Sequence, residues 1–290
     1  MSKNESLNDA IIMGKDLAEK HWKNRAGIRK KISRNDEPKG ILIAEGDSWF
    51  DYPGSDVLDI LEDKHNYRIE HSANKGDKAE SMAYDSSQIK GFIRILERLL
   101  RRDESPKAVL LSAGGNDIAG DEFTILLNHA KSPKPGLSPE IMSAIINKRL
   151  RYCYITLISR INTLCEKHFG TKCPILVHGY DFAVPDGRGF WGGGWILPGP
   201  WLQPGFRKKG YPDKPLQYRT DLVEELINQF NDMLATLNRI RGFELVTYVN
   251  LRGKLPNDKK YKTWWANELH PTKKGFVVIS DEIAKTLEQV

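Results

Sequence analysis

Cysteine is scarce in this 290-residue chain: Cys153, Cys165 and Cys173 are all there is. An odd number with no CxxC pair excludes a zinc knuckle or a full disulfide framework and leaves reduced thiols that pack as small apolar groups. Long apolar runs are missing too. No stretch reaches the roughly 20 residues of a membrane span. The N-terminus, MSKNESLNDAIIMGKDLAEK, lacks the uninterrupted apolar segment and small-residue cleavage site of a secretion signal, so a cytoplasmic location is expected. Charge of one sign is in only modest excess, with 44 Lys and Arg against 38 Asp and Glu and a formal net charge of +6. That balance permits an acidic partner without demanding one, and no nucleic-acid module accompanies it, so no nucleic acid is expected. What is present is ample core material: 40% hydrophobic and 28% charged residues exclude a disordered or collagen-like chain. The length admits one domain or two.

Short β-branched apolar runs bounded by glycine or polar turns recur at Ile41 to Ala44, Ile69 to Ala73, Ala108 to Ser112, Ile175 to His178 and Phe243 to Val249, and they read as buried strands. Helical periodicity lies between them, at Gln88 to Arg101, Pro139 to His168, Asp221 to Arg241 and Lys273 to Leu287. Alternation of strand and helix predicts an α/β fold with a largely parallel sheet covered on both faces. Right-handed crossovers then bring every strand's C-terminal end to one edge, where such folds build their sites.

Two segments break the alternation. An N-terminal helix over about Leu7 to Ser33, within an appendage of residues 1–37, carries seven Lys or Arg and no acid between Lys20 and Arg34. It reads as a solvated charged face, with peripheral membrane contact as the alternative. The second segment, about 181–216, holds VPDGRGFWGGGWILPGPWLQPGFRKKGYP. Its glycines and prolines argue against a regular helix, while Trp191, Trp195 and Trp201 argue against a flexible linker. It follows a strand end, so it reads as an inserted lid or pocket wall.

Chemistry gathers at the strand ends. ILIAEGDSWFDYP places Ser48 directly after the first strand, in a turn suited to a nucleophile. HSANKGDKAESM places Gly76 after the second strand, and KAVLLSAGGNDIAG places Asn116 after the third. The amides of Ser48 and Gly76 and the side chain of Asn116 would supply three donors to one developing oxyanion. TWWANELHPTKKGF places His270 just before the last helix, able to return to the same edge and take the serine's proton. Asp47 and Asp117 read as turn formers. Six of the seven tryptophans lie beside these strings or in the insertion, and Trp49, Trp191, Trp195, Trp264 and Trp265 are expected to line a substrate pocket.

In this order the four strings resemble the SGNH or GDSL hydrolase family, over about residues 40 to 290: Ser48 within GDS, Gly76, Asn116 within GGND and His270 before Pro271. The resemblance implies a single domain over 38–290, a flavodoxin-like three-layer αβα sandwich on a five-stranded parallel sheet. It further implies ester, thioester or amide hydrolysis through an acyl-serine, with no metal or organic cofactor. The expected partner is a small-molecule ester, lipid or acylated sugar. A serine esterase leads, with a phospholipase or lysophospholipase at a membrane surface and a non-catalytic module of the same fold as alternatives; oligomeric state is left open. One position departs from the family: Asn267 stands where an Asp usually precedes the histidine by three residues. Asn267 as a neutral orienter, Glu268 as a substitute carboxylate, and a backbone carbonyl all remain open.

Overall fold

The computed structural model describes residues 37–190 and 198–290. The chain divides into two compact units, Met1–Pro38 and Lys39–Val290, and the description concerns the second. The N-terminal basic helix and its proposed membrane contact lie outside the described residues.

Five strands make one parallel sheet: β1 (Ile41–Gly46), β2 (Arg68–His71), β3 (Ala108–Ser112), β4 (Ile175–His178) and β5 (Val246–Val249), in the order β2-β1-β3-β4-β5. Every residue of β3 and β4 is buried, as continuous apolar runs in a sheet covered on both faces require. Helix Lys273–Leu287 packs on helix Val57–Asp63, while Ala79–Tyr84 and Ser86–Arg101 pack on Arg151–Phe169. Right-handed crossovers in this strand order put the two groups on opposite faces, giving three αβα layers of flavodoxin-like order.

Local chemistry sets the helix ends. Thr272 accepts from the Gly275 amide and starts the last helix, and Asp85 accepts from the Ser87 amide and starts Ser86–Arg101, which buries Phe92, Ile95, Leu96 and Leu99 at helical spacing. The expected helix from Pro139 to His168 is broken by a π segment: Pro139–Ser143, Ala144–Leu150 and Arg151–Phe169 follow one another. The insertion also departs from expectation. Gln203–Lys208 is a short helix, with its proline in the first turn, where the missing N–H costs nothing. Among the described residues no helix is long and apolar enough to cross a membrane.

Candidate active site

The turn after β1 is held from several sides. The Asp47 amide donates to the Ser112 carbonyl (3.0 Å) and the Phe50 amide closes the turn onto the Asp47 carbonyl (3.0 Å). Gly46 admits no side chain, since a Cβ there would meet Phe50 at 2.7 Å and Ser112 at 2.9 Å. The buried Asp47 carboxylate accepts from the Trp49 amide (3.0 Å), the Ser112 hydroxyl (2.8 Å) and the Tyr180 hydroxyl. Burial nevertheless raises its pKa to about 6. Tyr180 in turn accepts from the Gly115 amide (3.0 Å), so one buried chain joins the turns after β1 and β3.

Ser48 faces outward from this support, its Oγ 2.7 Å from His270 Nε2. On the other side of the ring, His270 Nδ1 lies 2.9 Å from Asn267 Oδ1. That oxygen also accepts from the backbone amides of Leu269 and His270, both at 2.9 Å. Two backbone N–H donors can only meet an oxygen, so the amide's orientation is fixed by its surroundings. With Oδ1 an acceptor, the imidazole carries its proton on Nδ1 and presents a lone pair at Nε2 to the serine. Asn267 Nδ2 donates to the Tyr52 hydroxyl at 3.1 Å, and the Tyr52 ring stacks on His270 with centroids 4.5 Å apart. Trp201 meets the same imidazole edge-on at 5.5 Å. Burial pushes the His270 pKa down to about 3, because no carboxylate touches the ring to stabilise its cation.

Glu268, one of the three orienters left open by the sequence, is not placed against His270. It is fully buried and faces the insertion: Oε1 accepts from the amides of Gly187 (2.9 Å) and Gln203 (3.0 Å), and Oε2 from those of Trp201 and Leu202 (both 2.7 Å). One carboxylate thus ties both feet of the insertion to the histidine loop. Burial raises its pKa even against four donors.

Gly76 and Asn116 join Ser48 and His270 around one cavity of about 400 Å³, whose aromatic walls are Tyr52, Phe190 and Trp201. Gly76 has φ +88°, a conformation that favours glycine, and Asn116 Nδ2 donates one proton to the Asp77 carbonyl at 2.9 Å, leaving its second. Asp117 accepts from the Ala79 amide (2.8 Å) and so fastens the loop of Asn116 to the helix that follows Gly76. A second, smaller cavity of about 50 Å³ touches the same serine and histidine from within.

The tryptophans divide. Trp49 and Trp265 are buried and back the small inner cavity, with Trp49 Nε1 donating to the Leu269 carbonyl at 3.0 Å. Trp264 lines neither cavity, contrary to expectation; Lys274 Nζ sits over its ring at 4.2 Å, an outer-surface cation–π contact in place of a pocket wall. Trp191 and Trp195 lie outside the described residues. Tyr52 and Tyr180 were not singled out as site residues from the sequence, whereas Trp201 lies in the insertion expected to form a lid or pocket wall and borders the outer cavity. Tyr52 stands within WFDYP itself, so proximity to Ser48 was its only signal. Among the described residues no group of three or more His, Cys, Asp or Glu converges to hold a metal ion.

A parallel α/β sheet with serine, histidine and two strand-end loops at its C-terminal edge is the arrangement of a hydrolase. The chain belongs to the GDSL-like lipase/acylhydrolase family, whose model matches residues 43–283. Among solved structures it is similar to a carbohydrate acetylesterase from Sinorhizobium meliloti (13% identity, 87% of this chain and 99% of that one, TM-score 0.45). It is also similar to a psychrotrophic esterase from Pseudoalteromonas sp. (14%, 86% and 97%, TM-score 0.41) and to an aryl esterase from M. smegmatis (11%, 86% and 98%, TM-score 0.44). None of the curated proteins matches significantly.

Proposed function

We propose that the protein is a serine esterase in which Ser48 is the nucleophile, His270 the general base and acid, and Asn267 a neutral orienter. The observation that carries this reading is the continuous chain from Ser48 Oγ to His270 Nε2 (2.7 Å) and from His270 Nδ1 to Asn267 Oδ1 (2.9 Å). Ser48 Oγ bonds to the ester carbonyl carbon as its proton passes to Nε2. The oxyanion is met by the amides of Ser48 and Gly76 and the remaining Asn116 Nδ2 proton. The tetrahedral adduct then expels the alkoxy oxygen, which takes the proton from Nε2 and leaves as the alcohol. Water repeats the sequence on the acyl-serine, and the carboxylic acid departs.

Asn267 supplies geometry without charge. An aspartate there would both hold the tautomer and stabilise the imidazolium, and the asparagine does only the first. The aromatic walls of the outer cavity suit a leaving alcohol with a flat apolar face, the ring of a sugar released from its acyl ester among them.

The test is covalent labelling with a fluorophosphonate together with acetyl-ester turnover. Wild-type protein should label at Ser48, and Ser48→Ala or His270→Ala should lower turnover at least 100-fold. Turnover unchanged in either purified variant would remove the assignment.

A further inference from the structure

An ester seated on Ser48 has two arms and this site offers two unequal spaces for them, about 400 Å³ outside and about 50 Å³ within, both bordered by Ser48, Asn116, Leu269 and His270. The chemistry sorts the arms. In the first half-reaction the alcohol departs while the acyl group stays bonded to Oγ. In the second, water must approach where the alcohol left, because the Nε2 that protonated the leaving oxygen is the atom that deprotonates the water. The alcohol arm therefore needs room and a route to solvent, and the larger cavity offers both, at a rim that includes the exposed Pro53, Lys75 and Gly76.

The inner space has walls of buried apolar side chains, among them Ile118, Leu202, Val223, Leu226 and Ile227. The last three recur at one-turn spacing on helix Leu216–Leu234, which covers the cavity. Carboxylates also border it, but their oxygens are spent inside the protein. Asp47 is held by Trp49, Ser112 and Tyr180, and Asp181 accepts from the amides of Phe182 (2.7 Å), Gly253 (2.6 Å) and Leu255 (2.5 Å). No carboxylate oxygen is left there to receive an acyl end, and Trp265 Nε1, buried and without a hydrogen-bond partner among the described residues, is a donor on a residue of the same wall.

Resting on the esterase reading, we infer that the inner space is the acyl site and that it limits the substrate to short acyl groups carried on a larger alcohol. One water needs roughly 10–15 Å³ of such space, so about 50 Å³ takes about three to five non-hydrogen atoms, the carbonyl carbon included. With the carbonyl at the serine, that corresponds to acetyl through butyryl. Val223 and Leu226 set the limit.

The experiment is kcat/KM of the full chain on acetyl, butyryl, hexanoyl and octanoyl esters of one nitrophenol, repeated with Leu226→Ala and the milder Val223→Ala. The wild type should fall at least tenfold between butyryl and hexanoyl. The hexanoyl-to-acetyl ratio should rise at least tenfold in whichever variant is soluble. Hydrolysis with octanoyl as good as acetyl would overturn the short-acyl inference and leave the esterase reading standing, as would variants that cleave esters with an unchanged ratio. Hydrolysis of none of the esters by the wild type would remove both.

Discussion

Replacing Asn267 with aspartate should make this enzyme faster. The position is built to receive a carboxylate: Oδ1 already accepts from two backbone amides and His270 Nδ1, and Tyr52, now accepting from Nδ2, has only to turn its hydroxyl to become a fourth donor. In a serine protease the change from Asp to Asn costs about 10⁴ in rate because the amide selects the wrong tautomer. Here the backbone donors hold the oxygen against Nδ1, so the tautomer is right and the deficit is charge alone. An opposite charge within about 4–6 Å shifts a titrating group by about 1–3 pKa units, each worth about 1.4 kcal/mol. The introduced carboxylate should then lift His270 from about 3 into the range of about 4–6 and stabilise the imidazolium by about 1.4–4 kcal/mol. Only part of that charge has formed in the transition state, so a gain of about 10- to 100-fold in kcat/KM is expected at pH 8. The assay is acetyl-ester hydrolysis from pH 4 to 9. Wild type should hold its activity down to about pH 4, while Asn267→Asp should show an acid limb displaced upward by at least one unit. A variant no faster at any pH, with an acid limb superimposable on the wild type, would refute the reasoning.

Glu268→Gln puts an NH₂ group among backbone amides that all donate, leaving at least one of them facing another donor; stability should fall by about 2–3 kcal/mol, read as a lower denaturant midpoint. Because Trp201 is tied through the same carboxylate, KM for bulky-alcohol esters should rise more than kcat falls, and an unchanged KM would separate Glu268 from the pocket. Glu45 gives a pH signature. It is buried on β1 with one oxygen accepting from Ser72 and the other unpaired, and burial raises its pKa to about 8. Between about pH 4.5 and 8 the folded state keeps a proton that the unfolded chain has lost, so stability falls as pH rises through that window and levels above it. The full shift corresponds to at most about 5 kcal/mol. The midpoint at pH 8.5, taken relative to that at pH 5, should be lower in the wild type than in Glu45→Gln; an equal change in both would place the pH dependence elsewhere. His178 and His270, lowered to about 4 and about 3, act in the opposite sense, withdrawing stability as pH falls below about 6.5 in both proteins.

The strands and the residues at their ends were legible because a buried parallel strand is a local pattern and the topology carries its end to a fixed edge. Ser48, Gly76, Asn116 and His270 needed only that rule to be brought together. Glu268 was not legible, since its partners lie 65 to 81 residues away in a stretch whose composition speaks against helix. The same contacts explain the short helix Gln203–Lys208, whose first amide is received by the distant carboxylate in place of a local cap. Trp264 and Trp265 are adjacent and identical in chemistry, yet one is fully buried and the other lies beneath Lys274. Only the path of the loop separates them. For Asn267 the departure from an expected aspartate was visible, but the atom that faces the histidine depended on two backbone donors that no spacing reveals.

The Glu268 clamp has a consequence for how such a protein diversifies. Both feet of the insertion, at Gly187 and at Trp201 to Gln203, end on a single side chain, so the stretch between them can lengthen, shorten or change composition while its points of attachment stay where they are. Phe190 and Pro198, which border the outer cavity, lie within that stretch, whereas Val223 and Leu226 of the inner cavity lie on a helix outside it. On the proposed assignment of the two spaces, the alcohol wall at Phe190 and Pro198 can be revised while Val223 and Leu226 stay as they are, and Leu202, held at the clamp and bordering the inner space, is where the two remain coupled.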